Sequence, residues 1–281
     1  MFDEAYVYDL CLRLTRRALV QDNRSEAVGH AEGGVLLVAR RAAVLFVLGV
    51  VMPLLLLIAV IAYPFDRRRR FSFLLARMWA RMLLAAAGAK VEFRGADRLP
   101  EPPAVMLSNH ISHMDVPSLL ANVKVPLVFL TKSSLYRIPV FGLALKVLGM
   151  VPVHRHDPGR RKLALIDAER AVKTGAGAGS YIFFFPEGTR SPDGKLLPFK
   201  KGAFVFAKRM GLPLIVVRVS GSNEVLPPKT LKLAPGRIVV EVLDTLYPES
   251  FADMDVDALC ERVRGMLEGR MGDRRGGEKV A

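Results

Sequence analysis

A histidine and an aspartate five residues apart, His110 and Asp115 in the run Asn109-His110-Ile111-Ser112-His113-Met114-Asp115, offer a base and a carboxylate to orient it. A carboxylate bonded to one imidazole nitrogen fixes the tautomer and supports the charge that develops when the other nitrogen takes a proton. Such a pair suits general-base activation of a hydroxyl. The spacing alone also describes a surface histidine beside a helix start, so the elements that carry the two residues matter.

Facing neighbours on a helix are three or four apart, so His110 and Asp115 should flank a break. Pro102 and Pro103 precede Val105-Met106-Leu107, an apolar run that predicts a short buried strand from Ala104. Ser108 and Asn109 then predict the exit loop, and Asp115 to Ala121 the first turns of a helix. His110 thereby falls on a strand-to-helix loop, at the strand end where open α/β sheets collect ligands. His113 is expected on the exposed side, and His154 and His156 simply follow a later strand.

A second apolar run, Phe183-Phe184-Phe185, leads into Pro186-Glu187-Gly188-Thr189-Arg190-Ser191. Gly188 permits a backbone shape or close approach that a side chain would block, Thr189 can donate a hydrogen bond, and Arg190 carries a planar fork suited to phosphate oxygens. By itself the segment also reads as an ordinary turn.

The chain has 281 residues, 51% hydrophobic, with a formal net charge of +14 and a mean hydropathy of +0.27. That length holds a full core, while the positive hydropathy points to apolar surface that meets lipid. The basic balance fits nucleic acid, an anionic membrane surface or anionic substrates. The basic runs Arg155 to Lys162 and Arg67 to Arg70 lack aromatic interleaving, and the latter abuts lipid-like sequence, so no nucleic-acid partner is expected. Cys11 and Cys260 lie far apart, without a partner motif for zinc or a disulfide. The histidines show no ligand spacing that suggests a metal.

Residues 1–34 read as a polar N-terminal extension with a short amphipathic helix. Residues 35–88 read as apolar membrane-associated helices, 89–268 as an α/β domain, and 269–281 as a charged tail. Ala42 to Tyr63 carries no charge and is flanked by Arg40-Arg41 and Arg67 to Arg70. About twenty such residues match a bilayer core. Basic flanks on both sides suit a placement with both ends on one face. Pro53 allows a kink or a re-entrant turn, so spanning and re-entry both stay open. A second apolar helix, Phe71 to Ala87, has Trp79 as a candidate interfacial anchor and Arg77 and Arg81 on a polar stripe. Beyond it, apolar runs at Val91 to Arg94, Ala104 to Leu107, Leu127 to Leu130, Met150 to His154, Tyr181 to Phe185, Leu214 to Val219 and Arg237 to Val242 alternate with helical stretches. The pattern predicts an α/β fold, a mixed, largely parallel sheet covered by helices.

Asn109-His110 with Asp115, followed in order by Phe185-Pro186-Glu187-Gly188-Thr189-Arg190, resembles the glycerolipid acyltransferase superfamily, and within it the lysophosphatidate acyltransferases. Supporting matches are Lys132 with Pro139 and Gly142, the run Gly149 to Arg155, and Lys200 with Gly202. The resemblance covers roughly Val91 to Val219. It implies an α/β enzyme in which His110 is the base and Asp115 orients it. It further implies that Glu187, Gly188, Thr189 and Arg190, with Arg155, Lys132 and Lys200, hold the acceptor phosphate. The implied reaction is acyl transfer from acyl-CoA or acyl carrier protein to the sn-2 hydroxyl of lysophosphatidate, with no cofactor, at a membrane and with the site facing the cytoplasm. One departure is Leu212-Pro213-Leu214-Ile215-Val216-Val217, where Val216 stands in place of a second proline of the family pattern. It bears on the acceptor or subfamily more than on the chemistry. Another acceptor, such as a lyso-aminolipid or glycerol 3-phosphate, or a silent lipid-binding protein on the same fold, are the competing readings.

Overall fold

The computed structural model describes residues 29–154, 157–173, 179–230 and 232–269. Seven short apolar runs form one sheet: β1 (Ala89–Arg94), β2 (Ala104–Ser108), β3 (Leu127–Lys132), β4 (Val151–Val153), β5 (Tyr181–Phe184), β6 (Leu214–Ser220) and β7 (Gly236–Leu246). Their spatial order is β1-β7-β6-β2-β5-β3-β4. Every neighbouring pair is parallel except β6 with β7. All five residues of β2 and all four of β5 are buried, because helices cover both faces and leave no polar side for alternation.

Alternate side chains feed two cores. Met106, Phe129, Phe183, Ile215 and Val217 point to one, and Val105, Val128, Ile182, Phe184, Leu214 and Val216 to the other. The first is covered by α1 (Gly29–Phe46), α3 (Arg70–Ala87) and α4 (Asp115–Asn122). The second is covered by α6 (Pro158–Lys173), α7 (Gly202–Met210) and α9 (Val256–Gly269). Between them in the chain come α2 (Met52–Ala62), α5 (Pro139–Val147) and the one-turn α8 (Ser222–Val225).

β7 continues past Val242 to Leu246, further than its sequence pattern indicates. Leu243 and Leu246 are buried while Asp244 is exposed, and a bulge between Val216 and Val217 keeps the antiparallel partner in step.

The apolar helix does not turn back at Pro53. A proline lacks the N–H and crowds the carbonyl four residues earlier; here Val47–Val51 just before it winds as a π-helix, and α1 continues into α2. Val35–Ala62, 28 residues at a hydropathy of 3.2, is the one helix among the described residues long and apolar enough to cross a membrane. The chain reverses after Ala62 instead. Asp66 accepts the backbone N–H of Phe71 and Ser72 and the Ser72 hydroxyl, at 3.2, 2.8 and 2.7 Å, satisfying the start of α3. Arg69 donates to the carbonyls of Lys146 and Val147, at 3.0 and 2.8 Å, just ahead of β4. At its other end α3 runs directly into β1. An 18-residue helix is about 27 Å long and six strand spacings come to about 29 Å, so α3 bridges the two edges of the sheet.

Phe71, Leu74, Met78 and Met82 lie along its outer side, 41 to 48% exposed, and Leu54, Leu57 and Ile61 of α2 are exposed as well. Trp79, the candidate interfacial anchor, is partly buried and packs against the first core.

Candidate active site

β2 ends at Ser108 and α4 begins at Asp115, and the loop between them curls round the aspartate. Asp115 is fully buried. Its Oδ2 accepts the backbone N–H of Ile111 at 2.8 Å and of Ser112 at 2.9 Å, and meets Nδ1 of His110 at 2.7 Å. Its Oδ1 accepts the hydroxyl of Ser222 at 2.5 Å. The curl is what lets residues five apart meet without sharing a helical face. A carboxylate partner places the proton of neutral His110 on Nδ1, which leaves the lone pair on Nε2. The imidazole also stacks on Phe185, centroids 3.8 Å apart and planes 14° apart. Its side chain keeps 17% exposure, so the ring is pinned but reachable.

The second loop is fastened to the first through the peptide of His110. Glu187, buried, accepts the N–H of His110 at 2.8 Å with one oxygen and the N–H of Leu197 at 2.9 Å with the other. Ser191 N–H donates back to the His110 carbonyl at 2.8 Å. Asn109 spans to β6, accepting from Val219 N–H and donating to its carbonyl, both at 2.8 Å. Glu187 thus departs from the phosphate-binding role expected of it: both oxygens face backbone amides at the loop junction, and its charge has the sign of a phosphate. Burial pushes its carboxyl above the usual range, against the two amides that lower it.

Gly188 adopts φ 68, and a Cβ there would lie 2.6 Å from Nζ of Lys200. The glycine is what lets the Lys200 ammonium lie over the Glu-Gly-Thr-Arg turn, and the Lys200 N–H holds the Pro186 carbonyl at 2.8 Å. Thr189 is exposed at the tip. Arg190 is half-buried and its guanidinium meets the ring of His113. Lys132 ends β3, the strand beside β5 on the side away from β2. The structure therefore gathers His110, Asp115, Gly188, Arg190 and Lys200 around two joined loops, with Lys132 at the end of the adjoining strand. Arg155 and His156 lie outside the described residues, as do Cys11 and most of the polar extension and charged tail.

His113 is not the exposed neighbour the sequence suggests. Burial first, and then the positive charge of Arg190 and the proximity of His110, press its pKa from 6.5 down to about 3. The folded protein therefore keeps His113 neutral where the unfolded chain takes up a proton. Its contribution to stability is complete above pH 6.5 and is lost as the pH falls towards 3, at up to about 1.4 kcal/mol per pH unit. Thermal unfolding midpoints should drop as the pH is lowered through that window. His113→Gln, which cannot take the proton, should flatten the drop; an unchanged slope would remove His113 as its source.

Two participants escape sequence reasoning. Phe185 reads as a strand end at the head of the second motif, with no role of its own, yet forms the face on which His110 rests, backed edge-on by Phe183 at 4.8 Å. Ser222 lies 107 residues from Asp115 in a segment without any motif of its own.

The acyltransferase family model matches residues 90–220. A chloroplastic 1-acyl-sn-glycerol-3-phosphate acyltransferase of Brassica napus is 34% identical over 229 residues, covering 79% of this chain and 63% of its own. A 1-acyl-sn-glycerol-3-phosphate acyltransferase of Pseudomonas aeruginosa is 29% identical over 214 residues, covering 75% of this chain and 80% of its own. The chain spans between half and two thirds of the length of the plant and algal relatives it matches. Among solved structures, the 1-acyl-sn-glycerophosphate acyltransferase of Thermotoga maritima matches with a TM-score of 0.65 at 23% identity, covering 82% of this chain and 97% of that one. That likeness establishes the shared fold.

Proposed function

From a domain of the acyltransferase family over residues 90–220, we propose that this chain transfers a fatty acyl group from an acyl thioester to the sn-2 hydroxyl of lysophosphatidate, giving phosphatidate. The observation that carries the reading is the His110 imidazole held by a fully buried Asp115 beside a turn that gathers Arg190 and Lys200. Nε2 of His110 takes the hydroxyl proton as that oxygen attacks the thioester carbonyl. Asp115 steadies the imidazolium, the tetrahedral intermediate collapses, the C–S bond breaks, and the thiolate leaves with the proton that His110 returns. The cations Arg190, Lys200, Lys132 and Arg155 hold the acceptor phosphate, and Gly188 and Thr189 shape the turn against it. The donor is acyl-CoA or acyl carrier protein.

Val35–Ala62 and the exposed apolar side of α3 supply the membrane attachment. The first core joins that helix to the sheet face on which Phe183 lies. Arg67 to Arg70 on the domain side of the uncharged Ala42 to Tyr63 outnumber Arg40 and Arg41 on the other, a bias that supports a cytoplasmic α/β domain. A carbonate wash should leave the full-length protein in the membrane fraction; quantitative release would contradict an embedded helix.

The reaction is tested with the membrane-reconstituted full chain, labelled acyl-CoA and acyl carrier protein thioesters, and a panel of acceptors. Phosphatidate from lysophosphatidate is the expected product. Turnover confined to glycerol 3-phosphate or a lyso-aminolipid would move the acceptor, and no turnover with any pair would leave a lipid-binding protein on this fold. Arg190→Ala should raise the KM for lysophosphatidate about tenfold or more, in line with the loss of one charged contact. An unchanged KM would take Arg190 out of the acceptor site.

A further inference from the structure

The Asp115 side chain has no exposure at all, so each of its oxygens needs a donor from the protein. Oδ2 is surrounded by the Ile111 and Ser112 amides and the His110 ring, all from its own loop. Oδ1 receives the Ser222 hydroxyl, equally buried and contributed by the connection between β6 and β7. We propose that Ser222 is a positioning residue for the proposed acyl transfer, fixing the outer oxygen of Asp115 so that the inner one holds His110 on line.

The place of that hydroxyl is set with little freedom. Ser222 opens α8 directly after Gly221, which has φ 80 and whose added Cβ would sit 2.1 Å from the Arg237 carbonyl. Only glycine permits this close pass of the connection against the start of β7. The same side of β2 is tied to β6 by the paired bonds of Asn109 with Val219. Another bond runs from the Ser112 hydroxyl to the Leu226 carbonyl at 2.8 Å, just past α8. The loop that carries the base is thus anchored on one side by Glu187 and on the other by the segment around Ser222. With donors on both oxygens, the carboxylate cannot rotate about Cβ–Cγ without breaking one of them.

Loss of the hydroxyl leaves a buried oxygen with one donor fewer, and the pair then holds protons more tightly. The other ionisable groups facing the pair are Glu187 from the β5 loop and His113 with Arg190 behind it, and none of them is altered by a change at Ser222. In the reconstituted full chain, Ser222→Ala should lower kcat about tenfold, the effect of one buried hydrogen bond. The KM for lysophosphatidate should stay within about twofold, and the acid limb of the kcat–pH profile should move to higher pH. Ser222→Thr, which restores the hydroxyl, should recover most of kcat and the original limb. Wild-type kcat and limb in Ser222→Ala would overturn the proposal. So would equal losses in the alanine and threonine variants with the limb in place, which would mark a purely structural role. The inference rests on the acyl-transfer reading, and the two failures are separable. If the wild type turns over no acceptor, titration of the His110 ring by NMR decides between a raised midpoint in Ser222→Ala, as expected, and an unchanged one, which would end the proposal.

Discussion

His110→Ala should reduce kcat for acyl transfer by about 10³-fold, within the range that general-base catalysis supplies, while the KM for lysophosphatidate changes little. In the proposed reaction the cations that hold the phosphate are on other segments, and the ring offers its Nε2 to the reacting hydroxyl rather than to the phosphate. Alanine also strips the Nδ1 donor from Asp115 and the stacking partner from Phe185, so it tests position as well as chemistry. His110→Gln separates the two. Its amide can still donate to Asp115 but offers no base in the neutral range, so stability should be recovered and kcat should not. Full activity in either variant would refute the general-base assignment. A loss of kcat in alanine that glutamine restores would show that only the shape of the loop matters.

Glu187→Ala should also be damaging, chiefly to stability. Removing the carboxylate strands two backbone N–H groups, those of His110 and Leu197, at a buried junction. An unsatisfied buried donor costs about 1 to 3 kcal/mol, so with two of them the variant should lose about 2 to 6 kcal/mol of stability. It should also lose at least about tenfold in kcat, because the His110 peptide is no longer held. Glu187→Gln should be intermediate, since it has one acceptor oxygen for two donors and turns an N–H₂ towards a backbone N–H. Measured melting temperatures and the separation of kcat from KM decide the matter. A raised KM for lysophosphatidate with unchanged kcat and melting temperature would return Glu187 to the phosphate site.

How far the chain can be read in one dimension differs from element to element. The strand set is legible because a strand covered on both faces must be apolar throughout, and Ala104 to Leu107, Leu214 to Val219 and Tyr181 to Phe185 are largely so. The loops at Asn109 and Pro186 are legible because apolar runs stop there at polar and glycine residues. The length of β7 is less so, since Asp244 interrupts its apolar run and the register depends on a bulge in its partner. Continuity through Pro53 is not legible either: whether a helix absorbs a proline through a π-turn or reverses depends on what its next turns pack against.

Local periodicity was enough to predict an α/β sheet with a lipid-seeking helix before it, whereas the pairing of His110 with Asp115 as base and orienter also took the resemblance of the two motifs, since the spacing alone fits a surface histidine beside a helix start as well. How those parts serve one another emerged with the packed fold. β2 lies between β5 and β6, so its exit loop meets both neighbouring loops, Glu187 from one side and Ser222 from the other. Those bonds cross 77 and 107 residues of chain, and no spacing within a segment reports which strand ends will stand side by side.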